Sequence, residues 1–136
     1  MKFDVRLMGY IKIFENMTHT QIKDCFFGKD KELFFIVNND QVGMAVGKEG
    51  KNVKLLAQKL KYRLKVIGFD KDPVEFVKNI LYPLKEYEIN LEGDKIVIKP
   101  VNSVIKGRIY GRDRSNLKWI NDLVKRHFDG LEVILK

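Results

Sequence analysis

A glycine turn is the part of this 136-residue sequence whose residue types and spacing are suited to chemistry. The turn, Gly47-Lys48-Glu49-Gly50, interrupts an apolar stretch, and the helix-like sequence KNVKLLAQKL begins at Lys51. Such a turn gathers backbone N–H groups at a helix N-terminus, where the helix dipole favours an anion such as phosphate. Glycine at both ends permits positive φ and a close approach of the ligand to the backbone. We therefore interpret the turn as a candidate phosphate site.

Side chains beside the turn strengthen this interpretation. Lys48, Lys51 and Lys54 supply positive charge. Asn52 offers an amide near the same edge, and Glu49 is expected to point to solvent. GxxG alone is a weak signal, so its surroundings must decide what it does.

The turn belongs to an internal repeat. A shift of 64 positions places residues 37–61 on residues 101–125 without a gap, so that VGKEGKNVKLL aligns with YGRDRSNLKWI. The identities are Val37/Val101, Asn38/Asn102, Gly43/Gly107, Gly47/Gly111, Asn52/Asn116, Lys54/Lys118 and Lys61/Lys125. The second candidate site therefore comprises Gly111, Arg112, Asp113, Arg114, Asn116 and Lys118.

One position of the second turn departs from the first. Arg114 replaces the second glycine. A side chain there is expected to keep phosphate further from the backbone, while the guanidinium itself can contact phosphate. We therefore expect the first turn to be the stronger site.

The elements that position the second turn follow from periodicity and caps. The sequence predicts a helix over DPVEFVKNILYP, capped by Asp72 and ended by Pro83. Strands at 87–91 and 95–99 follow, joined by a hairpin turn at 92–94. A short helix over 102–110, a helix over 115–128 and a strand over 131–136 complete the copy.

The first copy has the same predicted order. Its helices are predicted at 6–14, 40–46 and 51–60, its strands at 22–27, 33–37 and 64–69, and a turn at 28–31. The join between the copies, at 69–72, is too short for a flexible tether. We therefore predict an α+β fold of two domains, 1–69 and 70–136, each with a three-stranded sheet packed with helices, and rigidly joined.

Charge and composition narrow the function classes. The net charge is +8, and basic clusters at 48–65 and 104–127 flank an acidic segment at 70–94, a pattern that favours a polyanion. The single cysteine, Cys25, excludes an internal disulfide and suggests a reducing compartment. No apolar run is long enough to span a membrane and no signal-peptide pattern is present, so we expect a cytoplasmic protein.

The sequence gives no sign of catalysis. It lacks a Ser-His-Asp arrangement and metal-ligand spacing, and GKEGKN lacks the spacing and the Ser/Thr of a P-loop. We therefore expect no enzyme activity, cofactor, metal or small-molecule substrate.

The order of elements, with GxxG between two helices, resembles the prokaryotic-type (type II) K homology (KH) domain, which binds single-stranded nucleic acid. Two such units in tandem resemble the paired KH region of NusA-like transcription factors. Because the chain begins almost directly in the first unit, it is similar to the short archaeal form of that family. The resemblance implies single-stranded RNA binding by the two turns, in transcription elongation, termination or antitermination.

The residues leave two alternatives open. One is a KH protein of RNA processing or of the ribosome, and the other is a KH-fold module for protein interactions. The resemblance also leaves open whether RNA polymerase is a partner.

Overall fold

The computed structural model describes residues 4–28 and 30–136 of the chain. The chain divides into two compact units, the first ending at Asp70 and the second beginning at Lys71. Each unit contains a three-stranded sheet, in which the first two strands pair antiparallel and the last two parallel. The predicted α+β class is therefore confirmed.

The first unit follows the predicted order of elements. Its helices and strands are α1 (Val5–Thr18), β1 (Ile22–Phe27), β2 (Glu32–Asn38), α2 (Val42–Val46), α3 (Lys51–Leu60) and β3 (Arg63–Phe69). Single 3-10 turns at Asn39–Gln41 and Lys48–Gly50 precede α2 and α3, so the predicted helix at 40–46 is only partly α-helical. The predicted turn at 28–31 includes residue 29, which lies outside the described residues.

The second unit repeats this order. Its elements are α4 (Pro73–Leu81), β4 (Tyr87–Glu92), β5 (Lys95–Pro100), α5 (Ser103–Tyr110), α6 (Ser115–His127) and β6 (Glu132–Leu135), with a 3-10 turn at Arg112–Arg114. Asp72 caps α4 by accepting a hydrogen bond from the N–H of Val74, and Pro73 opens the helix as predicted. Asn102 caps α5 through the N–H of Ile105 instead of belonging to the helix.

The helices of the first unit pack on its sheet through an apolar core. Leu33, Phe35 and Val37 alternate along β2 and are fully buried, as expected for one face of a strand. The Phe14 ring of α1 stacks on Phe35 with centroids 4.2 Å apart. Leu56 anchors α3 in the same core. This packing fixes the helix that follows the first glycine turn.

The second unit positions α6 with an additional polar contact. The amide of Asn121 donates to the carbonyl of Val133 (3.0 Å) and accepts from its N–H (2.8 Å). The side chain thus pairs with the backbone of β6, an edge strand. Buried Leu123 and Val124 supply the apolar part of the α6 packing.

Candidate nucleic-acid interface

The two glycine turns have the same backbone conformation. Gly47 and Gly111 have φ/ψ of 79°/169° and 71°/176°, in a region that glycine almost alone occupies. Glu49 and Asp113 are left-handed in both turns, with φ of 57° and 54°. The sequence offered no sign that these acidic residues adopt positive φ.

The second glycine position differs between the turns in residue type but not in backbone conformation. Gly50 has φ/ψ of 73°/17°, and Arg114, its counterpart, has 61°/19°. Both residues donate a hydrogen bond back to the first glycine of the turn, at 3.1 and 3.2 Å. The departure predicted for the second turn is therefore confined to the side chain at this position.

An asparagine ties the helices on either side of each turn. The Asn52 amide donates to the carbonyl of Met44 in α2 at 3.1 Å, and the Asn116 amide donates to the carbonyl of Arg108 in α5 at 3.1 Å. The two side chains thus hold the turns closed. The sequence predicted both as RNA contacts, and this internal role was not foreseen.

The same asparagines explain why the first glycine of each turn is glycine. A Cβ on Gly47 would lie 2.9 Å from Asn52 Cγ, and a Cβ on Gly111 would lie 2.8 Å from Asn116 Cβ. A Cβ on Gly50 would meet only the Lys54 Cε, at 3.9 Å. The first position therefore requires glycine both for space and for its torsion angles, whereas the second is constrained only by a positive φ, which Arg114 also adopts.

Among the described residues, the helices after the glycine turns lack the side-chain caps with which α1, α4 and α5 begin. Asp4, Asp72 and Asn102 cap α1, α4 and α5 with side-chain oxygens. Within the described part of the chain, no side chain caps α3 or α6, and neither has an acidic residue in its first turn. Their positive N-terminal ends are therefore available to an external anion.

A groove of about 580 Å³ lies beside the first turn. It is lined by Lys48, Glu49, Lys51, Lys54, Leu55 and Gln58. The structure thus brings three predicted lysines together on one face, where each is exposed. Leu55, which is 44% exposed, and Gln58 were missed, although their helical spacing from Lys51 and Lys54 is a usable signal.

The second turn is also exposed. Arg112, Asp113 and Arg114 form its open side, and Asn116 and Lys118 lie exposed on the first turns of α6. The predicted residues of each site are therefore gathered around their own turn.

The described part of the chain contains neither a cluster of metal-binding side chains nor a membrane-spanning helix. Among residues 4–28 and 30–136, no three His, Cys, Asp or Glu side chains are grouped to hold a metal ion. No helix in that part of the chain has the length and apolar character needed to cross a membrane.

The order of elements and the glycine turns between helices are those of a KH domain. The KH domain family model matches residues 9–108, and the chain therefore belongs to the KH-domain family.

Within that family, the chain is similar to archaeal proteins named probable transcription termination protein NusA. It is 28% identical to the Methanocaldococcus jannaschii protein over 86% of this chain and 65% of that protein. It therefore spans slightly less than two thirds of that relative. Identity to the Thermoplasma acidophilum protein is 24%, over 98% of this chain and 94% of that protein. The Halobacterium salinarum (strain R1) protein is 29% identical over 88% and 86%.

The predicted resemblance to archaeal NusA-like KH proteins is thereby confirmed. Among solved structures, the crystal structure of APE1850 matches with a TM-score of 0.73 and 23% identity, covering 98% of this chain and 100% of that one. This likeness supports the fold alone.

Proposed function

We propose that the chain is a single-stranded RNA-binding factor that acts in transcription termination, antitermination or elongation, with one KH domain in each of the predicted segments 1–69 and 70–136. The observation that carries the proposal is a GxxG turn leading into an uncapped helix whose open face presents three lysines. The names of the archaeal relatives support the transcriptional role. The proposal includes no catalytic step.

At the first turn, phosphate would meet three favourable groups. The N-terminal end of α3 attracts negative charge, Gly50 carries no side chain over the backbone, and Lys48 stands exposed at the apex. Lys51 and Lys54 continue the positive surface along the helix. The strand would therefore run from the turn along the groove, with Leu55 available for apolar contact with a base.

The decisive experiment gives the first turn a net negative charge. Replacing Lys48 and Glu49 together by Asp leaves both glycines in place and should repel phosphate. We expect affinity for unstructured RNA to fall at least tenfold, about 1.4 kcal/mol, with little change in melting temperature. The control is Lys12→Asp, an equal change in charge at an exposed position of α1. If the double variant binds RNA with wild-type affinity, the assignment of this site is wrong.

We propose further that one RNA strand engages both turns. A KH turn clamps about four nucleotides, so a single site should bind weakly. The predicted rigid join would present the second site at high effective concentration. In a titration with unstructured RNAs of increasing length, affinity should therefore rise sharply at about 8 to 12 nucleotides. A smooth dependence on length would indicate two independent sites.

The transcriptional assignment has its own test. The tagged chain is purified from its native cell, and the co-purifying proteins are identified. RNA polymerase subunits among them would support the transcriptional role, whereas ribosomal or RNA-processing proteins would favour the RNA-processing alternative. Absence of RNA binding by the pure chain would favour the protein-interaction module.

A further inference from the structure

Three side chains surround the second turn in an arrangement that differs from the first. The Arg114 Cζ lies 5.6 Å from the centroid of the Tyr110 ring, and the Lys106 Nζ lies 5.9 Å from the same centroid. Both distances are within the range of a cation–π contact. We name these three residues the Tyr110 cluster.

The first unit has no counterpart of this cluster. At the offset of 64, its members fall on Val42, Val46 and Gly50. Val42 packs against the core of the first unit, and Gly50 carries no side chain. The three positions therefore carry two valines and a glycine in the first unit, and two cations and an aromatic ring in the second.

The cluster holds the Arg114 guanidinium in place while leaving the residue exposed. Tyr110 is half-buried at the end of α5, and Arg114 is exposed at the start of α6. Among the described residues, no carboxylate lies within ion-pair distance of Arg114. The guanidinium therefore lies near the Tyr110 ring, and the exposed Arg114 side chain remains accessible to a ligand.

We propose that the second turn binds an unpaired nucleobase, which stacks on the Arg114 guanidinium held over Tyr110. This inference rests on the proposed RNA binding. Unpaired RNA bases stack on aromatic rings and on guanidinium planes, and Arg114 offers such a plane beside the uncapped start of α6. The first turn, with Gly50 at this position, binds the strand through phosphate. The two turns thus recognise different parts of a nucleotide.

The test uses the full chain and an unstructured RNA of about 12 nucleotides carrying one 2-aminopurine, moved along the strand. Fluorescence of this base falls when it stacks. In the wild type, at least one position should be quenched on binding. Arg114→Lys keeps the charge but removes the plane, and should abolish that quenching and weaken binding about fivefold or more. Tyr110→Leu, which removes the ring that holds the guanidinium, should reduce the same signal.

The matched control is Arg6→Lys, the same substitution at an exposed arginine outside both turns, whose Cζ also lies over an aromatic ring, 4.9 Å from the centroid of Phe27. It should preserve the quenching. If Arg114→Lys and Arg6→Lys both give the same quenching as the wild type at every position, the stacking site is wrong while RNA binding stands. If the wild type binds none of these RNAs, the proposed function itself has failed.

Discussion

The first and second glycine turns of this chain have the same backbone conformation and differ in the side chains that they carry. At the first glycine, the neighbouring asparagine leaves no room for a Cβ in either turn. At the second, the first turn has Gly50 with open space around it, and the second turn places Arg114 in the same left-handed conformation. The two positions of the GxxG pattern are therefore constrained differently: the first by space as well as by its torsion angles, and the second by a positive φ alone.

The largest effect should come from the first glycine of each turn, where the steric and torsional requirements combine. Gly47→Ala and Gly111→Ala would each force a Cβ into the adjacent asparagine and strain a backbone region that is almost restricted to glycine. Together these costs suggest a loss of about 2 to 4 kcal/mol in the free energy of unfolding of the affected unit. Chemical denaturation measures this loss.

The controls for that experiment are Gly43→Ala and Gly107→Ala. These glycines lie in α2 and α5, where a Cβ would meet nothing within 4 Å. Alanine there should be neutral or stabilising by about 0.5 to 1 kcal/mol. Similar losses at all four glycines would mean that the asparagine contact does not set the requirement.

An intermediate effect concerns how the second turn meets RNA. If Arg112 and Arg114 both contact phosphate, replacing them by alanine should lower the slope of log K against log salt by about 1.4, since each single-strand contact adds roughly 0.7. Between 50 and 200 mM salt, the difference amounts to about sevenfold in affinity. The measurement is RNA affinity over a salt series.

Its control is the pair Lys12→Ala and Lys85→Ala, two exposed lysines outside both turns. Their removal should leave the slope nearly as in the wild type. An unchanged slope in the arginine variant would place both arginines off the path of the phosphates. A slope lowered by only about 0.7 would fit one phosphate contact, with Arg114 engaged by a base.

The smallest effect should come from the torsional requirement. Gly50→Arg gives the first turn the residue of the second, and because space is open its cost is that of one left-handed non-glycine residue, about 1 kcal/mol. The reverse change, Arg114→Gly, should stabilise the second unit by less than this, since it also removes the contact with Tyr110. Thermal unfolding of the two variants compares them. If Gly50→Arg lowers the stability of the first unit as much as Gly47→Ala does, the two positions do not differ in their need for glycine.

The sequence predicted the order of elements because strand alternation, proline and glycine punctuation and the repeat all agreed. It missed the last turn of α1, predicted to end near Phe14. That extension depends on buried hydroxyls: Thr18 donates to the carbonyl of Phe14 at 2.8 Å and lies 2.7 Å from the hydroxyl of Thr20. His19 then ends the helix in a left-handed conformation. The sequence could not predict these contacts, because threonine is β-branched and locally disfavours a helix.

For the candidate site, residue types and spacing predicted the two turns and their lysines. They could not predict that Arg114 adopts the conformation of a glycine, because an arginine in sequence usually argues against positive φ. Nor could they predict the contacts of Asn52 and Asn116 with carbonyls eight residues earlier, which depend on how the two helices meet. The sequence thus predicts the position of the candidate site, while the hydrogen bonds that support its turns are visible only in three dimensions.

The open space at Gly50 has a practical consequence for labelling. The natural sequence has one thiol, on Cys25, and its side chain is buried in the core of the first unit. Gly50→Cys would therefore add a thiol beside the proposed path of the RNA, in a place where its Cβ has room. A photo-crosslinker attached to that thiol would form covalent adducts with the nucleotides nearest the turn, and sequencing the adducts would give the polarity of the bound strand.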